Sequence, residues 1–264
     1  MDLQAIRAKI DALNNNGQQR EKTDYSTIFW KPELGKQTVR IVPSAFDPTF
    51  PFKELKFHYG IGKYPMVALS NFGKQDPIEE FVKELRKTND KDNWSLSGKI
   101  NPKTRVFAPV VVRGEEDKGV RLWGFGVTIY KALLALAEDE DVGDFTDVLN
   151  GWDLIVEQQP GNPYPTTTVR IKPKQTPLSD NNDLVESWLK EQPNPVESFT
   201  QYDYDFVKKQ LQNYLNPGSA EEDQPAALPG GTDNTTPAKS DFTLENATSS
   251  NKDTVSKFDD LFNE

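Results

Sequence analysis

Apolar residues recur along the chain at two spacings, and the spacing changes with position. Near the start, Leu3, Ile6, Ile10 and Leu13 repeat at helical intervals, which places one apolar stripe on a short helix within residues 1–19. The run Asn14-Asn15-Asn16-Gly17 ends it. A helix this short is marginal alone in water, so it is expected to dock on the core or on a neighbouring molecule. From about residue 25 to 175 the two-residue period of strands takes over. Val39 and Ile41 share one face of Gln37–Val42, and Phe52–Tyr59 alternates less cleanly. Arg105–Arg113 holds the run Val106-Phe107-Ala108-Pro109-Val110-Val111-Val112, and Val120–Val127 and Trp152–Glu157 complete five strands. Helical spacing interrupts twice, with Ile78, Phe81, Val82 and Leu85 in Pro77–Lys87 and with Ile129, Leu133, Leu134 and Leu136 in Thr128–Ala137. Asn182–Glu191 and Tyr204–Leu215 add two helices in an acidic stretch that is expected to pack on the core. The prediction is a mainly β fold with added α, whose five short strands suit a small, partly open barrel.

After residue 216 the periodicity stops. Residues 217–264 are rich in Pro, Gly, Ser, Thr, Asn and Asp, and only the end, Phe258-Asp259-Asp260-Leu261-Phe262-Asn263-Glu264, combines acids with bulky apolar side chains. That pattern predicts a disordered acidic tail carrying a short partner-binding motif. The low apolar fraction, 35%, and a mean hydropathy of −0.70 agree with a chain that folds over only part of its length. Three sections follow: an N-terminal arm over 1–19 suited to self-association, a core with helical extension over 20–216, and the tail over 217–264.

A net charge of −10 argues against nucleic acid until its distribution is considered. Residues 20–131 hold 20 Lys and Arg against 14 Asp and Glu, whereas residues 132–217 hold 6 against 15 and residues 218–264 hold 3 against 10. A basic section joined to acidic ones suits a tail that competes with a polyanion for the same groove. No cysteine is present, which excludes a disulfide framework and a thiolate metal site and fits a reducing cytoplasm. No apolar run approaches the ~20 residues of a membrane span, and the N-terminus does not read as a signal peptide.

Single-stranded nucleic acid offers phosphates to cations and flat base faces to aromatic rings, so a sequence-tolerant binder needs both along one groove. Residues 94–131 interleave them: Trp94, Lys99, Lys103, Arg105, Phe107, Arg113, Arg121, Trp123, Phe125, Tyr130 and Lys131, with Arg40, Lys53, Lys56, Tyr59, Lys63 and Tyr64 around them. An aromatic residue in a strand is more often core than platform. Phe107 and Phe125 are the first candidates for burial. Trp94, in the polar Asp92-Asn93-Trp94-Ser95 loop, and Trp123, beside Gly124, are the candidates for exposed stacking. Enzymatic chemistry finds little support. His58 is the sole histidine, Asp76, Glu79 and Glu80 read as helix N-terminal carboxylates, Asp203 beside Asp205 reads as a helix cap, and no phosphate-binding, dinucleotide or zinc-protease motif occurs.

In order along the chain, several stretches resemble the single-stranded DNA-binding (helix-destabilising) proteins of T-even-type bacteriophages. Thr38-Val39-Arg40-Ile41-Val42-Pro43-Ser44 resembles the family's first core strand, and Pro51-Phe52 through His58 its next one, histidine included. Asn93-Trp94-Ser95-Leu96, Lys103-Thr104-Arg105-Val106-Phe107-Ala108 and Leu122-Trp123-Gly124-Phe125-Gly126 resemble later segments, as does the acidic terminus. The resemblance implies an OB-fold core that binds single-stranded DNA without sequence preference, with Trp94, Phe107, Trp123 and Tyr164 as groove aromatics and Lys103 and Arg105 as groove cations. It implies a non-enzymatic protein of phage DNA replication, recombination and repair in the host cytoplasm. It also implies cooperative self-association through a basic N-terminal arm, and recruitment of replication and recombination proteins through Phe258, Asp259, Asp260, Leu261 and Phe262.

Two departures change what is expected. Well-known members hold zinc with one histidine and three cysteines, but here Asp76-Pro77-Ile78-Glu79 stands where Cys-Pro-x-Cys would be. No metal or other cofactor is therefore expected, and packing of Ile78, Phe81 and Leu85 should replace the metal's stabilisation. The arm also lacks the family's Lys/Arg-Ser/Thr cluster and carries only Arg7 and Lys9 on its helix. The rival reading is a virion structural or adaptor protein with a β-barrel core that binds no DNA.

Overall fold

The structure, a computed structural model, describes residues 25–216 together with Phe258, Leu261 and Phe262. The expected N-terminal helix and most of the tail lie outside the described residues. Within them the fold is mixed α/β, with an eight-stranded sheet and six α-helices. In chain order these are α1 (Tyr25–Ile28), β1 (Phe29–Trp30), β2 (Gly35–Ile41), β3 (Lys53–His58), β4 (Met66–Val67), α2 (Pro77–Lys87), α3 (Lys91–Ile100), β5 (Lys103–Val112), β6 (Arg121–Phe125), α4 (Val127–Glu138), β7 (Gly151–Gln159), β8 (Thr166–Thr176), α5 (Asn182–Lys190) and α6 (Tyr204–Leu215). The strand order is β1-β6-β5-β2-β7-β8, with β3 on β5 and β4 on β3.

Strand β5 organises the sheet. Its near-continuous apolar run reflects burial on both faces, as expected of a strand covered on either side. Val106, Ala108, Val110 and Val112 enter the main core with Val39, Ile41, Trp123, Phe125, Leu154 and Val156. Phe107 joins a second cluster on the opposite face, and Val111 a third under α5. One edge of β5 pairs with β6, while the other pairs first with β3 through Lys103–Phe107 and then with β2 through Val110–Val112. Pro109 sits at that changeover. Its carbonyl accepts from the Val42 N–H at 2.9 Å, so its missing donor lies on the edge where one partner strand yields to the next.

Five strands were legible from alternation. The other three were not, because β1 and β4 are two residues long and β8 is largely polar, Thr166-Thr167-Thr168-Val169-Arg170-Ile171-Lys172. β8 exists because β7 supplies its ladder, from Gln159 opposite Thr166 to Gly151 opposite Thr176. Asp92-Asn93-Trp94-Ser95, expected as a loop, lies in α3. Asp90 caps that helix by accepting from the Asp92 and Asn93 N–H groups, at 2.7 and 3.0 Å.

A separate helical lobe is built by α2, α3 and α6. Ile78, Phe81, Val82 and Leu85 of α2 meet Ile100 of α3 and Val207 and Leu211 of α6. The carboxylates read as helix caps act as such. Asp203 accepts from the Phe206 N–H at 2.7 Å, and Asp76 caps α2 with Pro77 at its first position and Glu79 and Glu80 in its first turn.

Candidate nucleic-acid interface

On a β-ladder, residues directly opposite one another share a face. Lys53 stands opposite Phe107, Leu55 opposite Arg105 and Phe57 opposite Lys103, so all six point to one side of the β3–β5 ladder. Tyr59 continues that row, with its ring 6.2 Å from Phe57. Arg105 hydrogen-bonds the Tyr59 hydroxyl. Burial pushes that phenol's pKa up, and the Arg105 charge opposes the rise. Across β5 the residue opposite Phe107 is Gly124. A β-carbon there would lie 2.8 Å from the Phe107 ring, so the glycine is what lets the ring lie over β6.

Phe199, from the segment between α5 and α6, closes over this face. Its ring lies 5.0 Å from Phe57, 5.2 Å from Phe107 and 5.3 Å from Phe29. The result is an aromatic patch bordered by Lys53, Lys103 and Arg105, with both lysines exposed. The Lys103 ammonium donates to the Gly98 carbonyl at 3.2 Å, which ties the patch to α3. That helix carries exposed Lys99 and Trp94, and Trp94 is 61% accessible. Lys63 follows in the next loop, 5.4 Å from the centre of the Tyr64 ring. The cations at this border can hold phosphates by charge, but Phe57 and Phe107 are buried beneath Phe199, so base stacking falls to half-buried Phe199 and to exposed Trp94.

Six of the residues singled out in the sequence do not join this face. Trp123, expected exposed, is 1% accessible, 5.5 Å from Trp30 and 4.6 Å from Phe125 in the main core. The glycine beside it opened space on the opposite side of the strand, where Phe107 fills it. Arg40 is completely buried because Val39 and Ile41 take the core-facing positions and leave it beneath the segment after β8. It bonds Asp153 at 3.3 Å and the Thr176 carbonyl. Arg113 joins the same carboxylate at 2.9 Å and donates to the Leu178 carbonyl. Arg121 is buried against Glu115 at 2.5 Å. Lys56 faces the other side of β3, 3.5 Å from Glu79 of α2. Tyr164 is partly exposed on the β7–β8 loop, outside the β3–β5 ladder. Phe107 is buried, beneath Phe199 on the cation-bordered face.

Other surface candidates had weaker signals. Phe46 and Phe50 are exposed on the loop leading into β3, where apolar residues between prolines show no period. Arg170, Lys172 and Lys174 are exposed at alternate positions of β8, an alternation visible in the sequence but masked by the strand's polarity.

His58 and Asp76, at the position of the family's zinc ligands, bond one another and the neighbouring backbone. The His58 Nε2 lies 2.9 Å from Asp76 Oδ2, which also accepts from the Leu69 N–H at 2.8 Å. Asp76 Oδ1 accepts from Ile78 and Glu79, and Glu79 is bonded to Ser70. Both Asp76 oxygens are therefore occupied within the fold. Among the described residues no group of three His, Cys, Asp or Glu could hold a metal ion. Burial pushes the Asp76 carboxyl's pKa up, but His58 and the N–H groups of Leu69 and Glu79 outweigh it and hold the pKa below the ordinary range.

Residues 33–213 match a family model described as gp32 DNA binding protein like. The chain matches no curated protein at a significant level.

Proposed function

The chain belongs to the gp32-like DNA-binding protein family, and from that premise we propose that it binds single-stranded DNA without sequence preference, at the face formed by β3, β5 and β6. The family is one of DNA-binding proteins, not of enzymes. The observation that carries the placement is the border of Lys53, Lys103 and Arg105 around Phe57, Phe107 and Phe199. Exposed Trp94 and Lys99 on α3, the helix to which Lys103 is bonded, are the further candidates for base and phosphate contacts. Arg105 is held by Tyr59 and Lys103 by the Gly98 carbonyl, while exposed Lys53 adds a compact point charge. On this reading the protein coats transient single strands during phage DNA replication, recombination and repair in the host cytoplasm, and the Phe258–Phe262 motif recruits partner proteins. The virion-adaptor alternative has no observation in its favour.

Fluorescence titration with oligo-dT tests the placement. Changing Lys53, Lys103 and Arg105 together to Ala should weaken binding at least about tenfold and flatten its salt dependence, since each phosphate contact on a single strand adds roughly 0.7 to the logarithmic slope. Affinity and slope equal to those of the unaltered chain would remove the site from this face. Oligonucleotides of mixed sequence should bind comparably, because stacking and phosphate contacts carry no base code.

A further inference from the structure

The end of the chain has a place in the fold. Phe258 is completely buried in the helical lobe, its ring 6.0 Å from Phe81 of α2. Phe262 follows one helical turn later, 4.8 Å from Phe258 and 6.4 Å from Tyr204 of α6. Residues four apart share a helix face, so the two rings form a single anchor. Lys208 of α6 holds this anchor in two ways. Its ammonium donates to the Phe262 carbonyl at 2.7 Å and lies 5.3 Å from the centre of the Phe262 ring. Leu261, between the anchors, faces outward and is partly exposed.

We propose that the groove between α2 and α6 is a receptor for an aromatic-anchored acidic peptide, that its resident occupant is this chain's own Phe258–Phe262 segment, and that the docked segment is withheld from partner proteins until it is released. The proposal rests on the reading that these residues recruit partners. Phe258 cannot be buried in the lobe and also be read by another protein. Residues 217–257 join the segment to α6 in one chain, so docking is intramolecular and needs less intrinsic affinity than capture of a separate peptide. The anchoring is apolar and lies in a cluster distinct from the Phe57–Phe107–Phe199 patch. Added salt should therefore leave the latch closed while it weakens DNA binding.

The chain has no cysteine, so one introduced as Asn263→Cys takes a single spin label. In the full-length protein the label should broaden the amide resonances of α2 and α6, and Phe258→Ala should remove most of that broadening. Broadening spread evenly over the protein, or unchanged by Phe258→Ala, would overturn the proposal. Release is read with a Fab fragment raised against a peptide of residues 254–264. Lys208→Ala leaves the epitope intact, and if the closed state is about 90% populated, opening should speed capture up to about tenfold. Equal capture of the Lys208→Ala and unaltered chains would also overturn it. Oligo-dT binding by the same proteins separates the two readings: a chain that latches but does not bind oligo-dT refutes the DNA-binding face and leaves the latch standing.

Discussion

Arg40, Arg113 and Arg121 resemble Lys53, Lys103 and Arg105 in the sequence. All six are cations set among apolar strand residues of one sheet. The first three are engaged within the protein, two on Asp153 and one on Glu115, and Arg40 and Arg121 are buried. The second three border an aromatic patch, with both lysines exposed to solvent. A strand cation's role is thus set by what later segments cover. The end of β8 meets Arg40 through the Thr176 carbonyl, whereas Phe199 covers the rings between Lys53 and Lys103 and leaves both lysines exposed.

The sharpest way to break this comparison is to alter the buried set. Asp153→Ala leaves two guanidinium groups without their carboxylate and should cost about 3–5 kcal/mol of stability, measured by urea unfolding. Trp123→Ala opens the main core and should cost a similar amount, about 3–5 kcal/mol. At temperatures where either variant remains folded, oligo-dT affinity should be unchanged. A selective loss of DNA binding would move these residues into the interface.

The His58–Asp76 pair gives the next effect. Asp76→Ala removes a carboxylate that caps α2 and bonds His58, and should cost on the order of 3 kcal/mol. Because the folded carboxyl titrates below the unfolded one, its stabilisation is complete above the ordinary Asp range near ~3.9 and is lost as pH falls through the lower folded value. Thermal melting between pH 2 and 6 should therefore show the unaltered protein losing its advantage over Asp76→Ala as the solution becomes acidic. A constant difference down to the lowest pH would contradict the linkage.

Smaller effects belong to the exposed set. Trp94→Ala should leave the melting temperature unchanged and weaken oligo-dT binding by the ~1–3 kcal/mol of one stacked base. Lys53→Gln alone should lower affinity only a few-fold while removing about 0.7 from the salt slope. A Lys53→Gln protein with an unaltered slope would place the phosphates elsewhere.

Long periodic elements were legible in advance. Pro77–Lys87 and Tyr204–Leu215 form helices over the expected residues, and Asp203 caps the second as its position implied. α3 was missed because Lys91-Asp92-Asn93-Trp94-Ser95 is polar, and its helix depends on Asp90 at the cap and on packing against α2. Within the candidate site, Lys103 and Arg105 were legible as cations beside a strand, but that they share a face with Phe107, Lys53 and Phe57 follows from the ladder between β3 and β5. The burial of Trp123 did not follow from its sequence, since a glycine neighbour frees space without saying on which side of the strand.

The sequence by itself determined the periods: which residues alternate, which wind, where carboxylates cap helices, and that cations and rings occur together near the middle of an acidic chain. Those are local properties, fixed by backbone geometry and the placement of charge. Only the tertiary structure decided which cations stay in water, that Phe199 roofs the aromatic patch, and that Phe258 returns to the α2–α6 lobe. Such outcomes depend on contacts between segments far apart in the chain, and burial is a property of the surface that arrives, not of the residue that is covered.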